Sequence, residues 1–383
     1  MSGAREKLEA AFAQWLGAKY AFAFWKGRVA MYAILRAFGI GEGDEVIAPG
    51  YTCVAVARPI KYVGARPVYV DIEPVTFNID PAKIEAKLSG KTRLIVAQHT
   101  YGYPAEMDTI LDIARRRSLP VIEDSCLALG STYKGRRTGT LTLAAYWSMQ
   151  WSKTFTTGVG GIATTDDADL AAKIERLARE EAREPGLKEA TLLAAMRTVH
   201  RLLAFPKTVS RMQAVYRRLS DAGLVAINPP GAEQVQFTPA FFKRLGAAQA
   251  RAGLRHVRRL DANLAHRRRL MRLYDRLLAE RGWPMPRIPD YMDPVLVRYP
   301  VRVADKAAAI ALAQARRLEL GTWFDCPLHQ IDVPMETFDY AWGTCPISEK
   351  AARETVNLPT HPRVGERLAR QVVDLMCEIG PAR

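Results

Sequence analysis

The sequence predicts an α/β protein: a large domain built on a mostly parallel sheet with helices on both faces, followed by a smaller C-terminal α+β domain. Three observations lead there. Short apolar runs alternate with amphipathic stretches through the first half of the chain, the βα pattern of a parallel sheet. A length of 383 residues exceeds one ordinary core and suits two domains, placed at 1–250 and 251–383. Apolar content is ordinary for a soluble enzyme, and no run approaches the roughly 20 apolar residues of a membrane span.

The elements follow in order. Residues 30–38 read as a helix, 45–48 as a strand, 52–63 as a helix and 66–70 as a strand. Residues 81–88 read as helical, 94–97 as a strand, 107–117 as a helix and 120–123 as a strand. Gly41-Glu42-Gly43-Asp44 comes after a helix and before a strand, the wrong order for a nucleotide-binding loop, so it reads as a turn. Lys134-Gly135-Arg136-Arg137-Thr138-Gly139 lacks the spacing of a phosphate loop and reads as a hairpin tip. Residues 251–276 read as a long helix joining the domains. The N-terminus carries no apolar signal region. Five cysteines, odd in number and without Cys-x-x-Cys spacing, argue against a disulfide framework or structural zinc and point to the cytoplasm.

One segment carries chemistry. Lys153 lies in Trp147-Ser148-Met149-Gln150-Trp151-Ser152-Lys153-Thr154-Phe155-Thr156-Thr157-Gly158-Val159-Gly160-Gly161, downstream of Leu119-Pro120-Val121-Ile122-Glu123-Asp124. A single lysine is usually a solvated surface charge. Here apolar and small neighbours predict burial, and strand C-termini in open α/β sheets are where ligands bind. An amine among hydroxyls, with a carboxylate at a strand end before it, is what a pyridoxal phosphate site needs. In such a site Lys153 would form the Schiff base, Asp124 would keep the pyridine nitrogen protonated and Ser148 could bind the phosphate.

The segment 27–167 resembles the DegT-type pyridoxal-phosphate-dependent sugar aminotransferases, which have the fold-type I architecture. The resemblance rests on Gly39-Ile40-Gly41-Glu42-Gly43-Asp44-Glu45-Val46-Ile47, Pro49-Gly50-Tyr51-Thr52, Gly64-Ala65-Arg66-Pro67-Val68-Tyr69-Val70-Asp71-Ile72 and Asn78-Ile79-Asp80-Pro81. It continues through His99-Thr100-Tyr101-Gly102-Tyr103-Pro104-Ala105-Glu106-Met107-Asp108 and the two segments above. Pro327-Leu328-His329 and Asn357-Leu358-Pro359-Thr360-His361-Pro362 match more loosely. The resemblance implies that Lys153 is the Schiff-base lysine and Asp124 the partner of the pyridine nitrogen. It makes Ser148 a phosphate ligand beside the backbone amides of Gly27 and Arg28 at a helix N-terminus. It also implies a homodimer with shared active sites, with Arg244 and His329 as substrate or partner-subunit contacts.

Four positions depart from the family pattern. The glutamine that contacts the ring oxygen is Leu127, a loss of about 0.5–1.5 kcal/mol. The aromatic residue that stacks on the ring is Cys53, with Trp25 or His99 as alternative stackers. A threonine of the phosphate cup is Arg28, whose guanidinium can donate two parallel hydrogen bonds to phosphate. An asparagine from the partner falls at Phe242. The implied reaction is ping-pong transfer from an amino acid, glutamate, to a keto group of a nucleotide-linked sugar. The altered positions leave two alternatives open: a non-sugar or lipid-linked acceptor, and a cofactor-free binding protein.

Charge is uneven. Residues 181–280 hold 19 Lys and Arg against 8 Asp and Glu within a chain of net +15. Much of this lies along 251–276, including Arg267-Arg268-Arg269, and reads as the solvated face of the linking helix. A second reading is an electrostatic funnel for an anionic substrate. No motif supports nucleic acid as a partner. In 182–232 the resemblance lapses. Leu192, Met196, Val199 and Leu203 form one helical stripe, and Val209, Met212, Tyr216 and Leu219 a second, interleaved with arginines. Such stripes pack on the protein body or a partner subunit; a basic amphipathic hairpin can also lie on an anionic membrane or cover a lipid-like substrate.

Overall fold

In the computed structural model, residues 3–203, 236–331 and 333–382 are described. The strands of the first half are β1 (Tyr20–Phe24), β2 (Glu45–Pro49), β3 (Thr52–Cys53), β4 (Arg66–Val70), β5 (Thr92–Gln98) and β6 (Val121–Asp124). They are followed by β7 (Thr132–Tyr133), β8 (Arg136–Arg137), β9 (Ala144–Ser148) and β10 (Gly161–Thr165). Seven form the central sheet in the order β1-β10-β9-β6-β5-β2-β4. From β9 to β4 every neighbour is parallel, while β10 runs antiparallel to both β9 and β1. The α/β class with a mostly parallel sheet is therefore as the sequence predicts. Near-continuous burial of β2, β6 and β10 reflects a sheet covered on both faces.

Most predicted elements fall within a residue or two of their observed bounds, and three differ for local reasons. Residues 81–88 form two 3-10 turns, Pro81–Lys83 and Glu85–Lys87, closed by i to i+3 bonds after Asp80 caps the first. Thr52–Cys53 leaves the predicted helix to pair with a strand far along the chain, Leu328–His329. The predicted long helix breaks at Arg258-Arg259 into Ala247–Val257 and Leu260–Ala279, where the Arg259 amide turns back to the His256 carbonyl. The break lets the first half pack along Gly3–Leu16 and the second against Glu366–Ile379. Arg267 of the predicted solvated face is buried instead.

The buried face of helix Leu187–Leu203 is also turned by one residue. Leu193 is buried, while Leu192 and Met196 are half-buried and Val199 is exposed. The stem of Arg197 lies on Gly158, and its Nη1 donates to the Ala248 carbonyl at 3.0 Å, which fixes that rotation. The second stripe, Val209 to Leu219, lies outside the described residues. Among the described residues no helix is long and apolar enough to cross a membrane.

A second core joins the two halves: Leu270, Tyr274, Leu277 and Met376 pack with Tyr51, Phe77, Tyr101 and Leu127. Two polar ties cross the same junction. Asn263 donates to the Thr154 carbonyl at 2.9 Å and accepts from Arg267 Nε, whose Nη1 reaches Val297 O and Thr360 Oγ1. Asp71, at the end of β4, accepts from the amides of Ile347 and Ser348 and from Ser348 Oγ, at 2.7 to 3.0 Å. It thereby caps helix Pro346–Glu354, whose own N-cap, Cys345, makes no side-chain capping bond. Asp71→Ala is expected to lower stability by about 2–3 kcal/mol and Asp71→Asn by about 1 kcal/mol, read from urea midpoints.

Candidate active site

The lysine segment leaves β9 and returns as β10, and its side chains close the intervening loop. Thr156 Oγ1 donates to Met149 O and Thr157 Oγ1 to Val159 O, at 3.2 and 2.8 Å. Gly158 sits at φ +90°, where a side chain would be strained and would strike Trp151. The loop presents Lys153 at the carboxyl end of the parallel strands, half-buried rather than buried, with Nζ 4.6 Å from the centroid of the Trp323 ring. A cation over an indole face is held by about 0.5–2 kcal/mol.

Asp124 ends β6 beside Gln98 and Tyr146, and it is buried. One carboxylate oxygen accepts the Cys126 amide at 3.0 Å. Burial, followed by the nearby Asp124 charge, raises the Tyr146 phenol and the Cys126 thiol well above their usual ranges. Lys153 is close enough to oppose that rise at Cys126, which ties amine and carboxylate to one neighbourhood. The neighbouring Glu123 faces elsewhere: it binds His99 Nε2 at 2.9 Å and the amides of Gly139, Leu141 and Thr142. His99 Nδ1 also accepts from Ala105 N, so both ring nitrogens are engaged.

Across the sheet, helix Gly27–Ala37 begins against Ser148. A Cβ on Gly27 would come within 3.0 Å of Ser148 Cβ, and one on Gly161 within 2.4 Å of Gly27 N. The two glycines let the helix N-terminus meet the ends of β9 and β10 directly. The N-cap, Lys26, makes no side-chain cap, so the start of the helix stays open to an anion. Arg28 is in the first turn, and burial together with Arg58 lowers its guanidinium to about 10. Cys53 lies between this end and Asp124, near enough to bear on Arg28, Cys126 and Tyr146.

The fourth side comes from the C-terminal half. Pairing of Leu328–His329 with Thr52–Cys53 sets His329 beside Cys53, and His329 Nδ1 accepts from Asp325 N at 3.2 Å. Arg298, at the start of Arg298–Arg302, places its guanidinium 4.8 Å from the Trp323 ring centroid. The structure thus brings Lys153, Asp124, Ser148, Gly27, Arg28, Cys53 and His329 to one edge. Leu127 packs in the core between the two halves. Arg244 lies apart, beside Phe24 and Glu9, with its amide bonded to Arg183 O. Phe242 is buried among Phe24 and Tyr32 of its own chain, so the position aligned with the partner's asparagine is a core position here. Trp323, Arg298 and Tyr146 escaped the sequence reading, although the Trp323-Phe324 pair just before Pro327-Leu328-His329 was an available signal.

Residues and cofactor are compatible on the geometry. The Tyr146 hydroxyl and Ser125 Oγ, both buried near Asp124, have no hydrogen-bond partner, as expected of a cavity that takes a polar guest. Ser148 and the uncapped helix start would hold a phosphate, Asp124 a pyridine nitrogen and Lys153 an aldehyde carbon.

Comparison with known proteins agrees. The family model of the DegT/DnrJ/EryC1/StrS aminotransferases matches residues 2–377. The chain is 33% identical over 376 residues to GDP-perosamine synthase of Caulobacter vibrioides, covering 97% of this chain and 89% of that protein. It is 30% identical over 357 residues to UDP-2-acetamido-2-deoxy-3-oxo-D-glucuronate aminotransferase of Pseudomonas aeruginosa, covering 93% and 85%. The crystal structure of DesV from S. venezuelae in complex with a ketimine intermediate superposes with a TM-score of 0.78 at 26% identity, covering 99% of this chain and 89% of that one. Enzymes of this family use pyridoxal phosphate, and the chain belongs to the DegT/DnrJ/EryC1/StrS aminotransferase family.

Proposed function

We propose that the protein transfers an amino group from glutamate to the keto group of a nucleotide-linked sugar, working in the cytoplasm as a homodimer with shared active sites. The observation that carries this reading is the convergence of Lys153, Asp124 and the open helix start at Gly27 on one sheet edge. Relatives named for GDP- and UDP-sugars support the acceptor class.

When bound, the cofactor supplies an electron-accepting ring next to the carbon that gains or loses nitrogen. Lys153 Nζ would anchor it covalently, and the same amine, when free, would serve as the base that moves a proton at the reacting substrate carbon. The Asp124 carboxylate, fixed by the Cys126 amide, would hold a proton on the pyridine nitrogen. Ser148 Oγ and the amides of Gly27 and Arg28 would hold the phosphate, with the Arg28 guanidinium in place of a hydroxyl.

His329 is buried beside Cys53. Burial, with Lys306, Lys153 and Arg298 nearby and Asp325 opposing them, lowers its imidazole to about 4. A folded pKa below the unfolded value means that the native state binds fewer protons between them. Its contribution is therefore fully present above about 6.5 and is lost as pH falls toward 4.

Three outcomes follow. Lys153→Ala should cut glutamate-dependent transfer by about a thousandfold or more, measured as amination within a panel of keto-sugar nucleotides, free keto-sugars and lipid-linked ketones. A preference for acceptors without a nucleotide would overturn the acceptor class. Arg28→Met should raise the dissociation constant of pyridoxal phosphate about tenfold in equilibrium dialysis. Urea midpoints of the cofactor-free protein should fall between pH 6.5 and 4, and His329→Gln should flatten that slope.

A further inference from the structure

We propose that Arg298 is the receptor for the α-carboxylate of the amino donor, an assignment that rests on Lys153 being the reacting amine. Arg298 and Lys153 share one surface, the Trp323 ring, at 4.8 and 4.6 Å from its centroid. An α-amino acid carries its amine and its carboxylate on the same carbon. A donor whose nitrogen replaces the Lys153 amine therefore brings its carboxylate to the immediate surroundings of that ring.

The surroundings suit an anion, and among the described residues no carboxylate pairs with Arg298. Arg298 makes no hydrogen bond and no ion pair with any described residue, and its Nε is buried without a partner. The other charges nearby are mostly positive: Lys306 and Lys153 bear on the neighbouring His329, where the exposed Asp325 opposes them and pairs with Lys306 at 3.6 Å, and Arg298 is near enough to bear on Arg267. The nearest carboxylate, Glu319, is bonded to His361 at 2.8 Å and is not within ion-pair distance of Arg298. A guanidinium held this way and left unneutralised costs free energy that a ligand carboxylate can offset.

Two further polar groups point the same way. Asn357, wholly buried, has neither its amide nitrogen nor its oxygen bonded, and its Oδ1 lies 3.1 Å from the position a Cβ on Gly321 would take. Arg298 Nη1 lies 2.5 Å from that same position. His329 Nε2, beside Lys153 and Arg298, is also buried without a partner. Donors from Arg298 and Asn357 and a neutral imidazole make a receptor for one planar carboxylate. Gly321 gives the guanidinium its space, since any side chain there would displace it.

The test uses the cofactor-loaded enzyme with Arg298→Gln and Gly321→Ala, each checked for a native melting profile and cofactor spectrum. Donor and acceptor half-reactions are followed separately, and binding of glutarate, a dicarboxylate with no reacting amine, is measured by calorimetry. The expected result is a rise of about 100-fold in KM for glutamate in both variants. Glutamine, which lacks the side-chain carboxylate, should lose equally, the acceptor KM should be unchanged and glutarate should bind more weakly. A loss with glutamate but not glutamine would assign Arg298 to the side-chain carboxylate and overturn the proposal. A rise in the nucleotide-sugar KM alone would assign it to a phosphate and overturn it too, as would unchanged glutarate binding. Failure of the Lys153 reading is separable: wild-type enzyme would then show no donor half-reaction, whereas glutarate binding can still be scored.

Discussion

Placing one amine at the carboxyl end of a parallel sheet, within reach of a carboxylate on the neighbouring strand, is the constraint on which the rest of this molecule depends. Asp124 ends β6 and pairs in register with Tyr146 of β9, so the strand that carries the acid also fixes the strand that leads to Lys153. The loop beyond β9 must then reverse within a few residues, and the threonine hydroxyls and Gly158 serve that reversal. Close approach of the helix at Gly27 to the same strand ends requires glycine at both contact points. Alanine at either one would push the start of the helix away from the ends of β9 and β10.

The C-terminal half closes this edge and supplies a different chemistry. Trp323, held by the pairing of Leu328–His329 with Thr52–Cys53, offers an apolar face that accepts two cations. Asn263 and Arg267 join the lysine loop to the strand segment just before Arg298 through a continuous set of hydrogen bonds. Arg267 is lowered to about 9 by burial and by Arg298, so this tie concentrates positive charge at the junction. Under the proposed reaction, anionic ligands would offset that concentration of charge.

The first half of the fold was legible because its signals are local. Apolar runs gave the parallel strands, and the ordered blocks from Gly39 to Gly161 gave Lys153, Asp124 and Ser148. What escaped was set by contacts between residues far apart in the chain. Arg267 follows the periodicity of an exposed charge, yet it is buried because Val297 and Thr360 accept its protons. The shift of Thr52–Cys53 from helix to strand depends on a partner strand nearly 280 residues later. Trp323 and Arg298 carry no spacing that links them to Lys153, and only the docking of the two halves brings them together.

The central claim is that Lys153 is the residue that holds the cofactor. The most direct measurement is borohydride reduction of the protein loaded with pyridoxal phosphate, followed by proteolysis and mass mapping of the modified peptide. A stoichiometric adduct on the peptide containing Lys153 is the predicted result. Lys26 is the informative competitor, since it is buried at the start of the same helix and its amine is lowered well below the usual lysine range by burial and by Arg28, Arg58 and Lys243. An adduct on Lys26, or none at all, would contradict the account.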